Sequence, residues 1–181
     1  MERSKMTVRE LCHIGIFTAV IVMCAQIAIP LPGMVPFTLQ TWAIVLAGLV
    51  LGPRNGTIAV LAYVLLGAVG APVFANFSGG MGIVLGRTGG FILTFPIMAL
   101  LAGLGERKGG VVWVVFALVV GTIINWICGM LYFSFVMSSS LQVAFMAAVA
   151  PFIPSGMLRI IMLPVIAKSI KIALLKARVT L

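Results

Sequence analysis

Two arginines stand apart from the other charged residues of this chain. Ten of the twelve Lys and Arg residues lie at the chain ends or in two short turns, whereas Arg87 and Arg159 lie on the opposite side, each at the start of an apolar stretch. A cation at membrane depth costs about 2.5 kcal/mol or more, so it usually has an anionic partner. The carboxylates of the chain are Glu2, Glu10 and Glu106, all on the side of the ten. The pattern predicts that Arg87 and Arg159 bind a ligand carboxylate.

Arg87 follows a stretch of polar and glycine residues that could complete such a site. Asn76 and Ser78 offer hydrogen-bonding groups, and Gly79 with its neighbouring glycines permits close approach of a ligand to the backbone. Arg87 and Arg159 are both expected at the N-terminus of a helix, where the dipole favours an anion. The sequence leaves one alternative open, in which both arginines snorkel to the lipid headgroups.

The composition indicates one integral membrane domain covering residues 1–181. Hydrophobic residues make up 62% of the chain and charged residues 8%, against about 25% charged in a soluble domain. The net charge of +9 follows the distribution of the positive-inside rule, which argues against a nucleic-acid partner. One His and three scattered Cys provide no metal site, and no cofactor is expected.

Hydropathy and turn residues predict an all-α protein with six transmembrane helices. They cover residues 11–29, 38–51, 57–71, 88–104, 111–132 and 156–175. Tight turns are expected at residues 52–56 and 105–110, where basic residues gather, so both termini are predicted to be cytoplasmic. The longer linkers on the other side are expected to roof a ligand pocket that opens to the extracellular side. Trp42 and Trp126 fit either an interfacial aromatic belt or a pocket wall.

Five runs of residues carry a resemblance to a known family. They are residues 30–41 (PLPGMVPFTLQT), 46–54 (LAGLVLGPR), 70–75 (GAPVFA), 77–82 (FSGGMG) and 85–90 (LGRTGG). They resemble the BioY family, the biotin-specific S components of energy-coupling-factor (ECF) vitamin transporters. The match is nearly unbroken from residue 30 to about residue 103 and looser beyond it. Its length and order make the resemblance specific.

The resemblance implies a protein of the prokaryotic plasma membrane that captures a vitamin outside and delivers it inward. Delivery would require a module of one transmembrane protein and two ATPases, and the chain itself would not be an enzyme. Together with the charges, the resemblance predicts substrate contacts at Gln40, Asn76, Gly79, Arg87 and Arg159. The small-residue face of the family's first helix falls on Gly15 and Ala19, which predicts the partner interface there. A membrane-embedded enzyme or a channel is the alternative from another class.

The last outer loop departs from the family pattern. The family commonly reads Pro-Phe-x-Pro-Gly-Asp-x-x-Lys, with the Asp and Lys at the ligand, whereas residues 151–159 read PFIPSGMLR. Arg159 keeps the cation, but Gly156 lacks the carboxylate that suits the N–H groups of biotin's ureido ring. Biotin is the expected ligand, and a carboxylate without a ureido ring, such as lipoate, is the alternative. A Gly156→Asp substitution is expected to tighten biotin and not lipoate.

Overall fold

A computed structural model of the protein describes residues 6–29 and 35–176. The helices in these two segments are α1 (Val8–Gln26), α2 (Gln40–Ala68), α3 (Met81–Val84), α4 (Gly89–Lys108), α5 (Val111–Val136), α6 (Leu141–Ala148) and α7 (Ile153–Lys176). Strands β1 (Ala28–Ile29) and β2 (Phe37–Thr38) pair in antiparallel orientation between α1 and α2. The proline-rich loop at residues 30–34 and the terminal basic residues Arg3, Lys5 and Arg178 lie outside the described residues.

The six predicted membrane passes are present in the fold. Five segments are long and apolar enough to cross a membrane: Val8–Gln26, Gln40–Ala68, Gly89–Lys108, Val111–Val136 and Leu141–Leu174. Helix α2 makes two of the passes, because the chain reverses at Gly52, whose φ of 81° and ψ of 178° are not helical. Beyond the reversal, a Cβ placed on Gly56 would lie 2.7 Å from the Cα of Gly48. A straight helix, rising about 1.5 Å per residue, could not bring these two residues together.

Several helix boundaries differ from the prediction by up to four residues. The turn expected at residues 52–56 is confined to Gly52, because the next helical arm can begin at Pro53. The first N–H groups of a helix have no partner within the helix, so the missing N–H of a proline there costs no hydrogen bond. Helix α4 continues past the predicted end at residue 104 to Lys108. Helix α7 begins at Ile153 instead of residue 156, which places Arg159 in its second turn.

One end of the bundle gathers charged side chains and is called the charged end. Asn55, beside the reversal of α2, donates a hydrogen bond to Glu10 of α1 (Nδ2 to Oε1, 3.3 Å). Lys171 of α7 forms an ion pair with Glu106 of α4 (Nζ to Oε1, 2.7 Å). Because Gly103 of α4 also packs against Pro53, these contacts bring the start of α1, the reversal of α2, the end of α4 and the last turns of α7 to one end, as the charge pattern predicts.

Close helix packing connects the charged end to the opposite end of the bundle. A Cβ on Gly48 of α2 would press on the Ala99 carbonyl of α4 and lie 3.0 Å from the Cβ of Ala102. A Cβ on Gly90 of α4 would lie 2.6 Å from the Cys128 carbonyl of α5. Small residues at such positions let helix backbones approach closely in a membrane protein. Helices α2, α4 and α5 therefore form the frame that holds the loops at the other end, called the cavity end.

Candidate substrate-binding site

A cavity of about 730 Å³ lies at the cavity end, between the starts of α2, α4 and α7 and the second half of α5. Pockets for small ligands usually measure about 300–1,000 Å³ and combine apolar walls with a few polar groups. The large apolar side chains of the wall are Phe74, Ile83, Phe91, Ile92, Phe95, Trp126, Met137 and Phe152. The polar lining comprises Thr38, Gln40, Thr41, Asn76, Ser78, Arg87, Thr88, Asn125, Ser155 and Arg159. The cavity thus has the size and the chemistry of a small-molecule site.

Four of the five predicted substrate contacts line this one cavity: Gln40, Asn76, Arg87 and Arg159. Gly79 is not part of the lining. A Cβ on Gly79 would press on the Ala71 carbonyl, so the glycine lets its loop pack against the segment that follows α2. Contact between any of the five residues and a substrate remains a prediction.

Arg159 is the buried cation of the site. It is 4% exposed, and its Nη2 donates a hydrogen bond to Oγ1 of Thr122 on α5 at 2.9 Å. The carboxylates in the described segments belong to Glu10 and Glu106, and both make their contacts at the charged end. A buried charge without a counter-charge costs several kcal/mol. The position of Arg159 in the cavity wall therefore favours an anion inside the cavity.

Two sequence-based arguments about Arg159 change with its position. The helix-dipole argument is wrong for this residue, because the field of a helix end falls off within the first turn and Arg159 lies in the second turn of α7. The snorkelling alternative does not fit either, since a snorkelling side chain extends its charged head to the headgroups and water. Arg159 instead keeps its guanidinium buried against Thr122.

Arg87 lies at the rim of the cavity and is exposed. It belongs to the turn between α3 and α4, immediately before Thr88, the N-cap residue of α4. The turn is held from α5, because the Tyr132 hydroxyl donates a hydrogen bond to the Leu85 carbonyl at 3.2 Å. An anion beside Arg87 would lie near the first N–H groups of α4, so the dipole argument applies to this arginine.

Asn76 is presented to the cavity by a small closed loop. The N–H of Phe74 donates to the carbonyl of Ser78 at 2.9 Å, and Oγ of Ser78 donates to the Ala75 carbonyl at 2.7 Å. Asn76 and Phe77 have φ angles of 57° and 52°, in the left-handed region that non-glycine residues rarely adopt. The loop conformation thus places the Asn76 side chain in the cavity lining at a cost in backbone strain.

Asn125 is a lining residue that the sequence analysis missed. It is buried on α5, and its Nδ2 donates to the Phe91 carbonyl at 3.1 Å and to Oγ1 of Thr94 at 2.7 Å. Because a carbonyl oxygen only accepts, these bonds fix the amide with its NH₂ group toward α4. The Oδ1 atom makes no hydrogen bond within the described segments and remains an acceptor beside the cavity. A lone amide inside an apolar span was the signal that could have identified it.

Gly156 lies against the indole ring of Trp126. A Cβ on Gly156 would lie 2.6 Å from Cζ2 and 3.0 Å from Cη2 of that ring. Of the two interpretations left open for Trp126, the pocket wall is the one the structure supports. Because the indole occupies the space that a side chain at position 156 needs, Gly156→Asp would displace it. The expectation that this substitution alone tightens biotin is revised accordingly.

A second, apolar depression runs along α1 and the second arm of α2, and is called the α1 groove. It is lined by Leu11, Ile14, Gly15, Thr18, Ala19, Val22, Met23, Ala62 and Leu66. The predicted partner residues Gly15 and Ala19 both lie in it. A Cβ on Gly15 would meet no atom within 4 Å, so packing inside the described chain does not require a glycine there. A small residue at an exposed helix position permits close approach of a helix from another protein.

Comparison with known proteins identifies one family. The sequence profile of the BioY family matches residues 1–176. The biotin transporter BioY of Thermotoga maritima is 40% identical over 164 residues, which cover 90% of this chain and 96% of that protein. The probable biotin transporter BioY of Pyrococcus horikoshii is 41% identical over 148 residues, covering 82% and 87%. The crystal structure of the S component for biotin from an ECF-type ABC transporter matches with a TM-score of 0.82 at 27% identity, covering 94% of this chain and 95% of that one. This chain belongs to the BioY family.

Proposed function

We propose that this chain is the substrate-binding S component of an ECF-type vitamin transporter in a prokaryotic cell membrane, and that its substrate is biotin. The observation that carries the proposal is Arg159, which is buried in the wall of the cavity without a carboxylate partner among the described residues. The carboxylate of biotin supplies the missing anion, and an arginine can bind a carboxylate through two parallel hydrogen bonds. The names of the curated relatives support the same substrate.

The other groups of the cavity suit the rest of the biotin molecule. The fused rings and the aliphatic chain are apolar and match walls such as Phe91 and Trp126. The ureido ring offers two N–H donors, and each buried N–H left unpaired would cost about 1–3 kcal/mol. Oδ1 of Asn125 supplies an acceptor for one of them, and the amides of Gln40 and Asn76 can serve the other N–H and the ureido oxygen. These side chains offset the loss of a carboxylate at Gly156.

One observation favours lipoate as the second candidate. The Trp126 indole fills the space beside Gly156 and makes this part of the wall aromatic. Lipoate carries a carboxylate tail for Arg159, and its dithiolane ring has no N–H group that needs an acceptor. Calorimetric titration of the purified protein with both compounds separates the candidates. We expect biotin to bind more tightly, and the reverse order would assign the site to lipoate.

We propose that the charged end faces the cytoplasm and that the cavity opens to the outside. The described basic residues outside the cavity are Arg9, Arg54, Arg107, Lys108, Lys168, Lys171 and Lys176. They lie at the start of α1, in the reversal of α2, at the end of α4 and near the end of α7. Positively charged turns and termini remain on the cytoplasmic side of a membrane protein, so both termini are cytoplasmic in this orientation.

Transport would require partners, which we propose to be a transmembrane protein that docks in the α1 groove and two ATPases. The chain contains no G-x-x-x-x-G-K-[ST] motif, the loop that holds nucleotide phosphates in P-loop ATPases. A bulky residue at Ala19 would obstruct the groove at a distance from the cavity. We expect Ala19→Trp to abolish co-purification of the transmembrane protein and to leave ligand affinity unchanged.

Ile127→Trp is the matched control for this interface, because Ile127 is an exposed residue of α5 that lines neither the groove nor the cavity. It should retain both association and binding. Association that survives Ala19→Trp would show that the partner docks elsewhere. A parallel loss of binding and association would show that the substitution damages the fold.

The direct test of the proposed function is the identity of the small molecule that accompanies the protein. The protein is purified in detergent, denatured, and the released compound is identified by mass spectrometry. We expect biotin in a 1:1 ratio, chemically unchanged, and one-site binding when the emptied protein is titrated with it. Chemical conversion of the compound would indicate an enzyme. Absence of binding for both biotin and lipoate would remove the proposed substrate class.

A further inference from the structure

The side chain of Gln26 connects α1 to the loop that presents Asn76. Gln26 is the last residue of α1, and its Oε1 accepts a hydrogen bond from the backbone N–H of Phe77 at 2.8 Å. Its Nε2 lies within hydrogen-bond distance of the carbonyls of Val73 (3.2 Å) and Phe74 (3.1 Å). The same nitrogen lies 3.2 Å from the Val22 carbonyl one turn back in α1. The Gln26 amide therefore contacts residues on both sides of the loop as well as its own helix.

The loop needs such support because its backbone is strained. Asn76 and Phe77 both have positive φ angles. Asparagine tolerates this conformation, whereas for Phe77 it is unfavourable and persists only where the surroundings enforce it. Phe77 gains little from burial, since it is 72% exposed. Its N–H would lack a protein partner without Gln26. Gln26 thus contacts Phe77, the strained residue, and also Val73 and Phe74 on the other side of the loop.

We infer that Gln26 is a positioning residue of the substrate site, which acts through Asn76 and touches no ligand itself. Gln26 is not part of the cavity lining, whereas Asn76 is. By holding the loop closed, the amide keeps Asn76 beside the cavity before the ligand arrives, so binding does not have to order the loop. The inference rests on the proposed function only for the identity of the ligand, because the contacts between Gln26 and the loop are present without a ligand.

The test is a double-mutant cycle between Gln26 and Asn76. Gln26→Met keeps the length of the side chain and removes its hydrogen bonds. We expect it to weaken biotin binding about 10-fold, because the loop loses about two hydrogen bonds and binding must then order it. In the Asn76→Ala background the same change should cost less than about 2-fold, since the side chain it positions is gone. Gln142→Met, at an exposed glutamine of α6, is the matched control and should bind like the parent.

Hydrogen–deuterium exchange of the ligand-free protein gives a readout that does not depend on the ligand. Exchange of the backbone N–H groups in residues 73–78 should accelerate in Gln26→Met, and exchange in α4 and α5 should not change. Gln26→Glu is a second variant of nearly the same shape, in which a carboxylate would face the carbonyl oxygens of Val22, Val73 and Phe74. It should accelerate exchange in the loop and weaken binding at least as much as Gln26→Met.

Three outcomes would overturn the inference: parent-like affinity in both variants, an equal loss with and without Asn76, or unchanged exchange in the loop. If the parent protein binds neither biotin nor lipoate, the proposed function fails, and the exchange measurement alone decides the role of Gln26. Faster exchange confined to residues 73–78 then supports the role, and unchanged exchange rejects it.

Discussion

The two ends of the molecule differ in how their cations are buried and paired. At the charged end, Lys171 pairs with Glu106 at 2.7 Å, and both side chains keep about a third of their surface exposed (29% and 32%). Lys108 lies over the Trp113 ring, 3.2 Å from its centroid. At the cavity end, Arg159 is 4% exposed and its described partner is the neutral hydroxyl of Thr122. The charged end satisfies its cations within the protein and in water, whereas the cavity end holds a buried cation whose described partner is neutral.

This difference shows how a binding site can be located in a chain with few charges. A basic residue in a turn or at a terminus is explained by membrane orientation. A buried basic residue without an acidic partner has no such explanation and indicates a functional site. Four measurements, ordered from the largest expected effect to the smallest, can contradict or refine the comparison.

Substitution of Arg159 should have the largest effect on binding. Arg159→Ala removes a buried charge-assisted contact, and we expect affinity to fall about 100-fold, whereas the exposed Arg87→Ala should cost about 10-fold. The methyl ester of the ligand should bind the parent much more weakly than the acid does, and this preference should largely disappear in Arg159→Ala. Arg107→Ala, at the charged end, is the matched control and should bind like the parent. A preference for the acid that survives in Arg159→Ala would separate Arg159 from the carboxylate.

Gly156→Asp tests whether the wall beside Arg159 can accept a carboxylate. The Asp side chain would meet the Trp126 ring, and overpacking of this kind costs about 1–3 kcal/mol. We expect calorimetry to show biotin affinity reduced about 10-fold in Gly156→Asp. The Trp126→Ala background makes room for the side chain, so adding Gly156→Asp there should raise affinity for biotin and not for lipoate. Tighter binding from Gly156→Asp alone would show that the indole moves aside easily.

Gln40 is a buried lining residue like Arg159, but its side chain is neutral. It is 6% exposed and lines the cavity, and its side chain makes no hydrogen bond within the described segments. Gln40→Met should lower biotin affinity about 5-fold, the value of one neutral hydrogen bond, without lowering the melting temperature. Gln142→Met should change neither quantity. A drop in melting temperature for Gln40→Met would show that the amide stabilises the empty protein.

Breaking the ion pair at the charged end should have the smallest effect of the four substitutions. Because Glu106 and Lys171 are partly exposed, Glu106→Gln should lower the free energy of unfolding by at most about 1 kcal/mol and shift the melting temperature by about 2–4 °C at most. Ligand affinity should not change, and Lys171→Met should behave in the same way. A loss of affinity comparable with that of Arg159→Ala would contradict the division of the molecule into two ends.

The fold could be predicted from the sequence because apolar length and turn residues determine membrane passes almost alone. Two of the boundary errors lie at proline and glycine. Gly52 and Pro53 predict a break of several residues, yet one residue with positive φ is enough to reverse the chain, since Pro53 can start the next arm. The early start of α7 at Ile153 follows the same reasoning, because Pro154 is acceptable in the first turn of a helix.

The site could be predicted only where a residue type is unusual in its local setting. Arg87 and Arg159 are conspicuous as cations beside apolar stretches, and both line the cavity. Asn125 and Gln26 are single amides inside or at the end of apolar helices, and nothing in the sequence shows what they contact. Gly79 is the opposite case, because a glycine in a polar loop suggests a ligand, but it lies outside the cavity lining and against the Ala71 carbonyl. Its contact with a ligand stays a prediction. Whether such a residue lies at the site depends on tertiary contacts that the sequence does not show.

The reversal at Gly52 has a consequence for how far the ligand travels. The first arm of α2, residues 40–51, is about 18 Å long, so Gln40 lies about 18 Å from the turn at the charged end. The hydrocarbon layer of a bilayer is about 30 Å thick. With the turn at the inner surface, a molecule bound beside Gln40 is already about 12 Å below the outer boundary of that layer. In the proposed orientation, a ligand held beside Gln40 would thus lie inside the hydrocarbon layer before the protein changes conformation.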